Sequence, residues 1–163
     1  MALKLARVAA GLCLAALATT ATAQETSTNR VAAKVDWSVF EGNEPNECWG
    51  VSAPKETVNT RDGRVVAVRR GDIQLFVTFS RGANPRGVVS FTGGYPFAPS
   101  STVNMVIDDS EFALITEGEW AWPVEGEDVK IVTAMKRGAK AVLTARSARG
   151  TQTQDTFSLL GFT

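Results

Sequence analysis

The stretch KAVLTARSARGTQTQDTFSLL, residues 140–160, decides the fold. It alternates weakly through residue 148, breaks at Arg149-Gly150, and resumes. Beyond the break Thr151, Thr153, Asp155, Phe157 and Leu159 share one face, and Gln152, Gln154, Thr156 and Ser158 share the other, because successive strand side chains point to opposite sides. Thr suits a strand, and a polar outer face is what an antiparallel sheet turns to water. The stretch therefore reads as a hairpin turning at Arg149-Gly150. Its second arm is neither disordered nor catalytic.

The same patterning extends upstream. Val35, Trp37 and Val39 alternate with Asp36 and Ser38 in a half-buried strand over 35–40. CWGVSA (48–53) is a second strand, closed by Pro54. Residues 55–64 are polar and loop-like, and 65–68 form a short strand. IQLFVTFS (73–80) and VVSFTG (88–93) are rich in β-branched and aromatic residues. STVNMVID (101–108) and EFALIT (111–116) flank a turn at Asp109-Ser110, and EWAW (119–122) stops at Pro123. One helix follows. Glu125, Glu127 and Asp128 open it, Lys136 and Arg137 close it, and Gly138 comes next, which suits the helix dipole and a glycine C-cap. Val129, Val132 and Met135 would pack on the sheet. The expected fold is all-β: an antiparallel β-sandwich of about eight or nine strands with one short helix near the C-terminus.

Residues 1–23 read as a secretory signal peptide. Lys4 and Arg7 precede an apolar run from Val8 to Ala18, and Ala21 and Ala23 form the cleavage signature. The run is too short for a membrane span. Residues 24–34 read as a flexible linker, and 35–163 as a single domain. The whole chain carries 17 basic and 17 acidic residues, and the leader takes two bases and no acid, so the remainder is slightly acidic. That balance argues against nucleic acid as a partner. Beyond the leader the only cysteine is Cys48, an unpaired thiol. It reads as buried and inert, with an intermolecular bridge and hence a homodimer as the alternative.

The sequence contains no histidine, which removes Ser-His-Asp and Cys-His activation and nearly all zinc sites. No catalytic residue, cofactor or metal ligand is assigned, and Asp108-Asp109 lacks EF-hand spacing. Charge is unevenly placed. Residues 61–86 hold six arginines against Asp62 and Asp72, whereas 108–128 hold eight acids and no base. Within the first cluster Arg64, Arg69 and Arg70 are the candidate contact for an anionic ligand, because guanidinium binds oxyanions in a fork. Trp120 and Trp122, two apart in a strand, share a face. They read as core, or else as an aromatic platform for a sugar or a protein.

Four elements, in order, carry a resemblance: the Gly94-Tyr95-Pro96-Phe97 turn, VIDDSEFAL (106–114), MKRG (135–138), and the SARGT…DTFSLLGFT close (147–163). Together they resemble the invasion-associated locus B family of Gram-negative bacteria. The resemblance implies an exported protein with an immunoglobulin-like β-sandwich and a role in entry into host erythrocytes. It supplies no catalytic residues. The functional expectation is a non-enzymatic binding protein of the cell envelope, periplasmic, outer-membrane-associated or extracellular, engaging an envelope or host protein or an anionic glycan. The alternatives are a periplasmic structural or stress-related accessory protein and, less favoured, a hydrolase.

Overall fold

A computed structural model describes residues 29–42, 47–80 and 86–163. The signal peptide, the linker up to Thr28 and Arg81 lie outside the described residues. The strands are β1 (Arg30–Lys34), β2 (Trp37–Glu41), β3 (Glu47–Ser52), β4 (Glu56–Arg61), β5 (Arg64–Val65), β6 (Gln74–Ser80), β7 (Gly87–Thr92), β8 (Thr102–Ile107), β9 (Ser110–Glu117), β10 (Trp120–Pro123), β11 (Lys140–Arg146) and β12 (Gln152–Ser158). The helix α1 (Asp128–Arg137) precedes β11. All strands join one sheet in the order β1-β2-β3-β6-β7-β10-β9-β8-β11-β12-β4-β5, and every pairing is antiparallel.

The all-β, antiparallel expectation with one helix holds. The strand count does not: there are twelve among the described residues where the patterning predicts eight or nine. Two of the additions lie where the sequence reads as linker or loop. Residues 30–34, assigned to the flexible linker, form the edge strand β1 on β2, and the expected strand start Val35 is instead a turn residue with φ 52°. Glu56–Arg61 pairs with β12 over five residues and turns back into β5 at Asp62-Gly63. Its side chains are half-buried or exposed throughout, so it carries no apolar alternation to betray it.

The sheet folds over a core in which β7 meets β12, with Phe91 set edge-on to Phe157 at 6.1 Å between ring centroids. Leu75 and Val77 of β6, Met105 of β8 and Leu143 of β11 are fully buried beside them. The hairpin read from residues 140–160 is present. β11 and β12 pair from Lys140↔Ser158 to Arg146↔Gln152, and Gly150 turns the chain with φ 80°. The face assigned to Thr151, Thr153, Asp155, Phe157 and Leu159 is the buried one.

Helix α1 packs inward through Ile131, Val132 and Met135, while Val129, expected inside, is exposed. Asp128 does not cap its own helix but accepts a hydrogen bond from the Val89 N–H of β7 at 2.8 Å, which ties the helix start to the sheet. Gly138 is extended rather than left-handed. It is required for space, since a Cβ there would lie 2.7 Å from Ile107 Cγ2. The terminal SLLGFT folds back over the β1–β2 hairpin. The Trp37 indole donates to the Ser158 carbonyl at 3.1 Å, and its ring lies 4.9 Å from that of Phe162.

Candidate functional site

Three segments meet at one end of the sheet: the stretch before β6, the Gly93-Gly94-Tyr95 corner after β7, and the β11–β12 turn. Glycine allows the first two to cross. The Gly71 N–H donates to the Gly94 carbonyl at 2.9 Å. Gly94 has φ 71°, and a Cβ on it would sit 2.5 Å from the Gly71 oxygen, so only glycine suits this close approach.

The crossing fixes Arg70, whose side chain is turned inward and only 6% exposed. Its guanidinium grips the fully buried Asp155 with two bonds, Nη1 to Oδ1 at 2.7 Å and Nη2 to Oδ2 at 2.6 Å. Nε donates to the Gly93 carbonyl at 2.8 Å and Nη1 to Asn59 Oδ1 at 3.3 Å. The cation also stands 5.0 Å from the ring centroid of Tyr95, whose hydroxyl hydrogen-bonds Thr153. Burial pushes the Asp155 carboxyl above its ordinary value, and the Arg70 guanidinium offsets part of that rise. Burial likewise raises the Tyr95 phenol, against the pull of its Thr153 hydrogen bond and of Arg70. The arrangement is a folding clamp. It corrects the sequence-based assignment of Arg70 as an anion contact, because its donors and charge are committed inside the protein.

Above the clamp lies a cavity of about 490 Å³. Tyr95, Pro96 and Arg70 form part of its wall, and Arg61, Arg69 and Arg149 stand around it with a single acid, Glu119. Arg61 donates from Nη2 to Thr151 Oγ1 at 2.7 Å. Arg69 and Arg149 are exposed, and neither has an acidic partner among the described residues. Arg64 is exposed on β5, opposite Arg61 in register, but does not line the cavity. Of the three arginines expected from the sequence, Arg69 lines the cavity with its charge unmatched, Arg70 lines it with its charge spent on Asp155, and Arg64 does not line it. Arg61 and Arg149 were missed because they reach the cavity from β4 and from the β11–β12 turn.

Trp120 and Trp122 lie on the outer face of β10, 39% and 38% exposed. The core reading is thereby corrected: Ala121 between them is the buried residue. Their rings lie 6.3 Å apart and within 25° of parallel. Register extends this face across the sheet. Phe76 contacts Trp120 at 5.6 Å, and Val51 stands opposite Phe76. Phe40 and Trp49 stack at 5.9 Å and 9°. Cys48 is a free, half-buried thiol on β3. Asp108-Asp109 makes the β8–β9 turn, with Asp108 at φ 50°. No cluster of three or more metal-ligating side chains occurs among the described residues, and no helix among them is long and apolar enough to cross a membrane.

These features define a class: an antiparallel twelve-stranded sheet with one packed helix, an arginine-rimmed cavity at one end and an aromatic outer face. The chain is similar in structure to invasion associated protein B from Bartonella henselae, with a TM-score of 0.53 and 15% identity, over 80% of this chain and 89% of that one. At that identity the likeness establishes a shared fold. No protein-family model matches the sequence, and no curated protein does.

Proposed function

We propose that this chain is an exported, non-enzymatic binding protein of the bacterial envelope, built as an immunoglobulin-like sandwich, that presents its aromatic sheet face to a glycan. The exposed, near-parallel Trp120–Trp122 pair carries the reading. Two large indoles left in water contribute little to the core, whereas parallel aromatic faces match the apolar faces of sugar rings. Ser90 of β7 lies on the same outer face by register, opposite Phe76, and offers a hydroxyl of the kind sugar binding uses. The fold shared with invasion associated protein B and the signal-peptide pattern support export and an envelope or host-surface setting.

The test titrates purified protein with oligosaccharides released from the envelope and follows tryptophan emission. A saturable change that disappears in W120A/W122A, with the melting temperature retained, supports the reading. An identical response in the double variant removes it. Protease shaving of intact cells separates the two settings. Loss of the protein while a periplasmic control survives supports a host-facing role, and survival supports a periplasmic accessory role.

A further inference from the structure

We infer that the cavity above the Arg70–Asp155 clamp is a second binding site, for the anionic group of an acidic or phosphorylated sugar. The argument is independent of the aromatic face. Arg61, Arg69 and Arg149 converge on one cavity of about 490 Å³, within the size range of small-ligand sites. They come from three separate parts of the chain, so the fold gathers them.

Their charge is available. The Arg70 cation is neutralised by Asp155, while Arg69 and Arg149 have no acidic partner among the described residues. Glu119 is the one carboxylate on the rim, so three uncommitted guanidinium charges face one negative charge. Such a concave, one-signed rim raises the local concentration of an anion. Guanidinium groups also keep their charge at any pH the envelope meets and bind carboxylate or phosphate through paired N–H donors.

The wall selects for more than charge. Tyr95 and Pro96 line the cavity beside the arginines and give it a partly apolar wall of the kind small-ligand sites have. Tyr95 cannot swing away, because Arg70 stands over its ring and Thr153 holds its hydroxyl. The Arg61–Thr151 hydrogen bond similarly presets one rim guanidinium through a neutral partner. The clamp thus makes the floor rigid, and a pre-formed site loses less entropy on binding.

Calorimetry tests the assignment with four probes: glucuronate, a glucose phosphate, glucose and inorganic phosphate. Glucuronate or glucose phosphate should bind more tightly than glucose and than inorganic phosphate. Arg69→Ser combined with Arg149→Ser removes two charge-assisted contacts and should weaken that binding by about tenfold or more at an unchanged melting temperature. Arg30→Ser combined with Arg137→Ser removes the same charge elsewhere and should leave affinity within about twofold once long-range charge is screened by salt. Equal weakening in both double variants would show a diffuse charge effect and overturn the site. Phosphate binding as tightly as the sugar phosphate would overturn the sugar assignment, and no binding by either acidic sugar would overturn the inference entirely. None of these outcomes depends on Trp120 or Trp122, so failure here and failure of the aromatic reading are distinguishable.

Discussion

Replacing Arg70 by Met would leave the Asp155 carboxylate at 0% exposure with no cation. Breaking a buried pair by removing one partner costs about 3–5 kcal/mol, because the remaining charge stays desolvated. The substitution also removes the bond to the Gly93 carbonyl and the cation over Tyr95. A domain of this size has roughly 5–15 kcal/mol in total, so the variant should sit near the edge of folding, with a melting temperature lower by roughly 10–20 °C. Asp155→Asn keeps one acceptor and should cost less. Replacing both partners with apolar residues should recover part of the loss. The variant also has a pH signature. Without Arg70, only burial acts on Asp155, and its folded-state pKa rises further above the unfolded 3.8. The folded form then holds a proton that the unfolded chain releases, so stability falls as pH climbs from 3.8 through the folded value. Urea unfolding followed by circular dichroism at pH 4, 5.5 and 7 measures both effects. Single variants that each lose less than about 1 kcal/mol, the level of exposed pairs, with no slope in pH, would refute the clamp.

Three further outcomes follow from single residues. Gly94→Ala meets both a positive φ and the Gly71 oxygen, and should lose about 2–6 kcal/mol. Gly63→Ala, with φ 73° in open space, should lose only about 1 kcal/mol, and comparable denaturation midpoints for the two would contradict the crossing. Tyr95 is the sole tyrosine, so phenolate absorbance reports it alone. Its midpoint should lie above 10.0 because burial raises it, and stability should fall as pH climbs past 10.0, where the unfolded chain gives up the proton first. In emission spectra, W120F and W122F should each remove a red, quencher-accessible component, whereas Trp37→Phe should remove a blue, protected one, since Trp37 is only 3% exposed.

Alternation made the inner strands legible. β6, β7, β8 and β12 bury alternate residues, and in β6, β7 and β8 those positions are mostly apolar, whereas β12 is legible from its Thr-rich alternation ending on Phe157. It failed at β4, whose two faces are similarly exposed. A different signal was available there. Asp62-Gly63 is the dipeptide a two-residue hairpin favours, and both residues have positive φ. The helix ends were legible from charge, yet Gly138 serves space rather than handedness, a distinction no local pattern encodes. The clamp was invisible because Arg70 and Asp155 are 85 residues apart. Its only trace was an acid in a strand column that also holds Phe157 and Leu159.

That acid also explains why charge clustering misjudged the arginines. Arg69 and Arg70 are neighbours, and in an extended segment neighbours point oppositely. One of them had to turn inward, and a buried guanidinium requires a buried carboxylate. Asp155 is the one buried acid among the described residues, so its position on β12 determines that the inward arginine is paired and the outward one is left unmatched. The same pairing fixes Tyr95 and the glycine crossing, which form the floor on which Arg61, Arg69 and Arg149 converge. Folding clamp and candidate anion site are thus two sides of one piece of chain. Mutations beneath the floor should act on stability, and mutations at the rim should act on affinity alone.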